Sequence, residues 1–254
     1  GPLSLVVSDP VTHKRLTDVL SERYRLVAHE SWREFLDRSQ SLRPLAVIVD
    51  PFTANGPPTI GAVTEAASEG EFGIVVCADF RGRSKDLYTL GLAGVRSVLM
   101  APDLGTRAEV ADAVERAIAL SVANSVVSRL EDHAPPLALD AIHWAVGNAT
   151  AGMRAGDLAR ALSATPKALG RLLRQNKLPP ARRTLLWGRL FYAAWSLSRG
   201  TDSIEELALK LGYSTRSGLT KALNAAVGAP PSELAAGDAR APVLEAYLHE
   251  ICVA

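Results

Sequence analysis

Between Arg154 and Lys221 the chain carries 13 Lys/Arg and 4 Asp/Glu, a local charge of +9 inside a total of only +1. A stretch of that bias suits an anion, although a solvated helical surface would show the same charge. A second group lies at the ends of short apolar runs: Ser8-Asp9, Asp50-Pro51, Cys77-Ala78 and Ala101-Pro102. Cys77 closes a strand-like run, where a buried, unreactive thiol is the default. His13, His29, His133, His143 and His249 are scattered, and two cysteines, Cys77 and Cys252, make neither a disulfide framework nor a four-thiolate zinc site. No nucleophile–base pair, metal-spaced cluster or phosphate loop is evident, so no enzyme activity, metal or cofactor is expected.

The elements that must position these groups change character near the middle of the chain. In the first half five apolar runs, Leu5–Val7, Arg25–Ala28, Leu45–Val49, Gly73–Cys77 and Val95–Met100, alternate with amphipathic helical stretches. Strands apolar on both faces and separated by helices predict a doubly wound five-stranded parallel sheet, α/β in class, with ligands at the carboxyl ends of its strands. Those ends are where Asp9 and Asp50 fall.

This order resembles the receiver domain of bacterial response regulators over roughly residues 3–120. The resemblance implies a site in which Asp50 would be the phosphoacceptor and Asp9 a carboxylate for Mg²⁺. It also shows three departures: Ser8 replaces one of the acidic pair, Cys77 the hydroxyl and Ala101 the lysine. The loop Phe52–Pro58 lacks the Met-Pro pair usual in receivers. A phosphoaspartate needs cation and donor partners that are missing here, so a degenerate pseudo-receiver is expected. The alternative for Asp50 is a strand-end carboxylate that caps its own loop.

Thr106 to about Leu130 contains neither Gly nor Pro and places apolar residues at helical spacing, predicting one long helix of roughly 37 Å. Val122, Val126, Val127 and Leu130 would pack either on the second half or on a second copy of the chain. Asp132-His133-Ala134-Pro135-Pro136 then marks a boundary, giving domains at 1–131 and 137–254.

Beyond Leu137 only helical periodicity remains, so the second half is expected to be all-α. Ala155–Thr165 with Pro166–Arg174 parallels Ser203–Ser214 with Thr215–Leu223, about 48 residues on. Each pair reads as a short helix, a tight turn and a second helix, with Thr165 and Ser214 as the expected caps. Leu158, Ala159, Leu162, Leu169, Leu172 and Leu173 in one pair, and Ile204, Leu207, Ala208, Leu211, Leu219 and Leu223 in the other, form apolar stripes expected in the core. Trp144, Trp187, Phe191, Tyr192 and Trp195 are expected there too, and an extra helix is expected after Pro242.

Ser203-Ile204-x-x-Leu207-Ala208-x-x-Leu211-Gly212-Tyr213-Ser214 and the closing Gly228-x-x-Pro231-Ser232 resemble the DNA-binding domain of AraC/XylS-family transcription regulators, a likeness covering about residues 138–236. The resemblance implies that Lys167, Gly170, Arg171 and Arg174 face one major-groove segment and Arg216, Ser217, Thr220 and Lys221 the next. Arg171 would meet a base or phosphate, or else a neighbouring carboxylate. Arg182, Arg183 and Arg189 are expected to be structural or to touch phosphates.

The second reading stretch is the poorer in cations and contains Gly218. A transcription regulator that binds promoter DNA is therefore expected, with a second copy, RNA polymerase and an unidentified effector as further candidate partners. The alternative is a protein-interaction adaptor whose helical half no longer holds DNA tightly. No run of about 18 apolar residues occurs and the chain opens on strand-like Leu3–Val7, so neither a membrane span nor a signal peptide is expected, and the setting is expected to be the bacterial cytoplasm, at the nucleoid.

Overall fold

The structure, a computed structural model, describes residues 1–52, 60–69 and 72–253. These form two compact units, Gly1–Ser121 and Val122–Ala254.

The first unit holds β1 (Leu3–Val6), α1 (Pro10–Leu20), β2 (Leu26–Ala28), α2 (Trp32–Leu42), β3 (Ala46–Val49), α3 (Ile60–Glu69), β4 (Gly73–Ala78), α4 (Ser84–Leu92) and β5 (Ser97–Met100). The strands pair in the order β2-β1-β3-β4-β5, every pair parallel, as the uninterrupted apolar runs predicted. This 2-1-3-4-5 order is the doubly wound arrangement of flavodoxins and receivers.

Alternation along the strands divides the core between the two faces. Val47, Val49, Ile74 and Val76 meet Trp32, Phe35, Val63 and Phe72 on one face. On the other, Gly73 lets α5 (Arg107–Leu130) come close, for a Cβ there would stand 2.6 Å from the Ala117 carbonyl carbon. The start of α5 is fixed by Thr106, whose backbone N–H donates to Glu109 Oε2 at 2.6 Å. The loop that departs from the receiver pattern lies, from Thr53 onward, outside the described residues.

One polar pair is enclosed in this unit. His29 Nε2 lies 3.1 Å from Ser4 Oγ, both residues are buried, and the Glu34 carboxylate is 3.7 Å from Nδ1. Burial holds the imidazole pKa below its ordinary value, partly countered by the negative charge of Glu34. The folded state therefore favours neutral His29. Its contribution to stability should be complete above the unfolded pKa of about 6.5 and be lost as pH falls below it. Thermal melts from pH 7.5 to 5.5 should show a falling Tm, and His29→Gln should flatten the slope; an unchanged slope would exclude His29 as its source.

The second unit is all-helical among the described residues. It contains the last turns of α5, then α6 (Pro136–Gly147), α7 (Ala155–Ala161), α8 (Pro166–Gln175), α9 (Ala181–Arg199), α10 (Ile204–Lys210), α11 (Arg216–Val227), α12 (Pro231–Ala235) and α13 (Arg240–Val253). The division falls inside α5: Val122, Val126 and Leu130 are buried, and Val122 and Val126 share a surface with Phe191, Trp195 and Leu244 within the second unit. Helix α9 is the hub on which α6, α7, α8, α10, α12 and α13 pack. Its Trp187, Phe191, Tyr192 and Trp195 are buried as their apolar spacing implied, whereas Trp144 on α6 is only half-buried. The extra helix appears as α13, beginning two residues before Pro242, and its Tyr247 ring meets Trp187 and Phe191 edge-on at 5.4 Å. No described helix is long and apolar enough to cross a membrane.

Candidate nucleic-acid interface

Helices α7 and α8 form one helix-turn-helix and α10 and α11 another, both seated on α9. The first helix of each is fixed by an acidic residue at its third position: Asp157 Oδ2 accepts from the Arg154 N–H at 2.9 Å, and Glu206 Oε2 from the Ser203 N–H at 2.9 Å. The turns match in detail. The Ala164 N–H donates to the Ala159 carbonyl and the Tyr213 N–H to the Ala208 carbonyl, each at 2.9 Å. The residue before each donor is left-handed, Ser163 at φ 52° and Gly212 at φ 77°.

After the turn the two units fall out of step by one residue. Thr165 caps α8 by accepting from the Ala168 N–H, and Thr215, not Ser214, caps α11 by accepting from the Gly218 N–H. The expected Ser214 cap is therefore corrected, because the second turn is one residue longer. Matched on their caps, Lys167, Gly170, Arg171 and Arg174 of α8 correspond to Ser217, Thr220, Lys221 and Asn224 of α11. Arg216 corresponds to Pro166.

Leu169 and Leu173 bury one side of α8, and Leu219 and Leu223 the matching side of α11. At about 100° per residue, Lys167, Arg171 and Arg174 then lie within about 60° of one another on the face opposite the core. All three are exposed and make no ion pair or hydrogen bond among the described residues, so the alternative partner for Arg171, a neighbouring carboxylate, is not present there. Gly170 lies on the flank, as does Leu172, which is 38% exposed and so leaves the core stripe to which its spacing assigned it. On α11 the outward face presents Ser217, Lys221 and Asn224, with Thr220 on the flank.

Arg216 is turned elsewhere: its Nη1 donates to Glu205 Oε1 of α10 at 3.0 Å. Nothing in the sequence motif signals this pair, since the two residues are 11 apart and meet only when the turn folds α11 back beside α10. The linking-helix arginines also separate. Arg183 pairs with Glu250 of α13 through contacts of 3.0, 3.1 and 2.7 Å and lies over the Trp187 ring, and Arg189 lies over the Tyr213 ring. Arg182 is exposed.

Residues 158–237 match the family model described as a helix-turn-helix domain. This segment is a helix-turn-helix domain of the AraC type. The match, over about a third of the chain, supports a DNA-binding transcription regulator in broad class. No curated protein matches the chain. Among solved structures it is similar to full-length FixJ from B. japonicum, at 15% identity and a TM-score of 0.37, over 84% of this chain and 97% of that one.

The strand-end residues of the first unit occupy the carboxyl edge of the sheet. Asp9 caps α1, accepting from the Thr12 N–H at 2.8 Å and the Thr12 hydroxyl at 2.6 Å, and the hydroxyl contact is the main cause of its lowered pKa. Asp50 is buried and accepts from the Phe52 N–H at 2.9 Å, a turn-capping bond. Cys77 is buried, and burial, reinforced by the charge of Asp50, pushes its thiol up to about 12, so it stays protonated. Among the described residues no group of three or more His, Cys, Asp or Glu is placed to hold a metal ion.

Proposed function

We propose that this chain regulates transcription by laying α8 and α11 of the AraC-type domain in successive major-groove segments, with α8 as the principal reader. The observation that carries the reading is the cluster of Lys167, Arg171 and Arg174, exposed on the face opposite the α8 core and paired with no carboxylate among the described residues. Three cations held so close on a rigid helix suit phosphate and guanine edges. Electrophoretic shift of duplex DNA across a salt series tests it: binding should weaken steeply as salt rises. No binding at low salt would sink it in favour of a protein-interaction adaptor.

The first unit, in this reading, controls the regulator or pairs two copies of it without phosphoryl chemistry. The strand-end carboxylates Asp9 and Asp50 are both engaged in capping bonds, and Ala101 supplies no ammonium to a phosphoryl group. Incubation with acetyl phosphate and Mg²⁺ should leave the intact mass unchanged. An adduct that disappears in Asp50→Ala would overturn this part of the reading.

A further inference from the structure

The two helix-turn-helix units differ in a way that the proposed DNA contact makes consequential. Arg216 is the first residue of α11, where the aligned peptide dipoles present partial positive charge and a guanidinium is unfavourably placed. Glu205, exposed on α10, offsets that charge by accepting the 3.0 Å hydrogen bond. The neighbouring Glu206 cannot take this part, because its carboxylate accepts from the Ser203 backbone N–H and hydroxyl. In the first helix-turn-helix the corresponding positions are Gly156 and Pro166, so no equivalent pair exists there. The side chains of Arg216 and Glu205 are 63% and 57% exposed, leaving the guanidinium within reach of an incoming anion. A DNA phosphate at the α11 N-terminus would satisfy both the helix dipole and the arginine, and it would compete with Glu205 for the same donors.

We infer that Glu205 is a positioning residue that withholds Arg216 from DNA, so that the second helix-turn-helix engages fully only where a phosphate or base acceptor displaces this carboxylate. This rests on the proposed DNA-binding reading. The pair sets how much α11 adds to the contact made by α8: with Arg216 held, its outward face offers Lys221 as the cation, against three on α8. An exposed ion pair is worth at most about 1 kcal/mol, so the restraint is one that a well-placed phosphate overcomes and a poorly placed one does not.

The test is a double-mutant cycle on the full chain, read by fluorescence anisotropy with a random-sequence 40-base-pair duplex over a salt series. Glu205→Gln should tighten binding about fivefold, the equivalent of one exposed pair, and steepen the salt dependence by about one counterion. In an Arg216→Ala background the same Glu205→Gln change should shift affinity by less than about twofold, because the guanidinium it would release is gone. Equal gains in both backgrounds would show Glu205 acting only as a negative charge near DNA and would overturn the inference, as would no gain in either. If Arg171→Ala weakens binding while the cycle shows no coupling, this inference alone fails. If the wild-type chain binds no duplex at low salt, the DNA-binding reading fails and takes the inference with it. Matched thermal melts of the four proteins ensure that the comparison is made between folded chains.

Discussion

Arg171→Ala is expected to weaken duplex binding by roughly 5- to 150-fold, corresponding to about 1–3 kcal/mol for an arginine that meets a guanine edge or a phosphate. The position supports the upper part of that range. Arg171 lies opposite the stripe formed by Leu169 and Leu173, on a helix fixed at its start by Thr165 and Pro166, so its guanidinium is carried by a rigid element. It also has no ion pair to break among the described residues, so contact with DNA costs no lost partner. Arg38→Ala, which removes a cation that pairs with Glu34 at 3.1 Å in the first unit, should change affinity by less than about twofold. The form of the loss assigns the contact. A reduced salt slope with uniform weakening across sequences means phosphate, whereas relaxed discrimination at one base pair means a base edge. Loss no greater than that of Arg38→Ala would remove Arg171 from the interface.

Periodicity made much of this molecule legible, and the exceptions have physical causes. The five strands could be read because a parallel sheet covered on both faces needs continuous apolar runs, and Ala46–Val49 and Gly73–Ala78 supply them. The two helix-turn-helix units could be read because Leu158, Leu169 and Leu173 repeat in Leu207, Leu219 and Leu223. The sequence could not show that the second turn is one residue longer, since Ser214 and Thr215 are equally good caps by type and only the backbone decides between them. That single residue moves Arg216 from the expected reading face to the helix start. It was also silent on the Arg216–Glu205 and Arg183–Glu250 pairs, which depend on how separate helices cross. The spacing of Leu172 places it beside the core, but nothing packs closely enough to cover it. Charge along the chain does not tell its members apart: within the +9 stretch, Arg183 and Arg216 are held by carboxylates, while Lys167, Arg171 and Arg174 make no ion pair among the described residues.

Gly188 is where the largest effect on stability is expected. By propensity alone, Gly188→Ala in the middle of the 19-residue α9 should stabilise the helix by about 1 kcal/mol. The packing reverses that sign. A Cβ at Gly188 would stand 2.6 Å from the carbonyl carbon and oxygen of Ala145 and 2.8 Å from its Cβ, so α6 backbone, which cannot swing aside like a side chain, occupies the space. Overpacking of this kind costs about 1–3 kcal/mol for a small group and more where backbone must move, against a total stability of about 5–15 kcal/mol. Gly188→Ala should therefore lower the urea midpoint, and Gly188→Val should leave the second unit unfolded. Tryptophan fluorescence can follow this because Trp144, Trp187 and Trp195 lie on α6 and α9. A midpoint at or above the wild-type value would mean that α6 yields freely and that the close crossing is not needed. Since α7, α8 and α10 also pack on α9, the loss would reach the supports of both helix-turn-helices. DNA affinity in Gly188→Ala should accordingly fall with the folded fraction as urea is added, whereas Arg171→Ala should lose affinity with its midpoint unchanged.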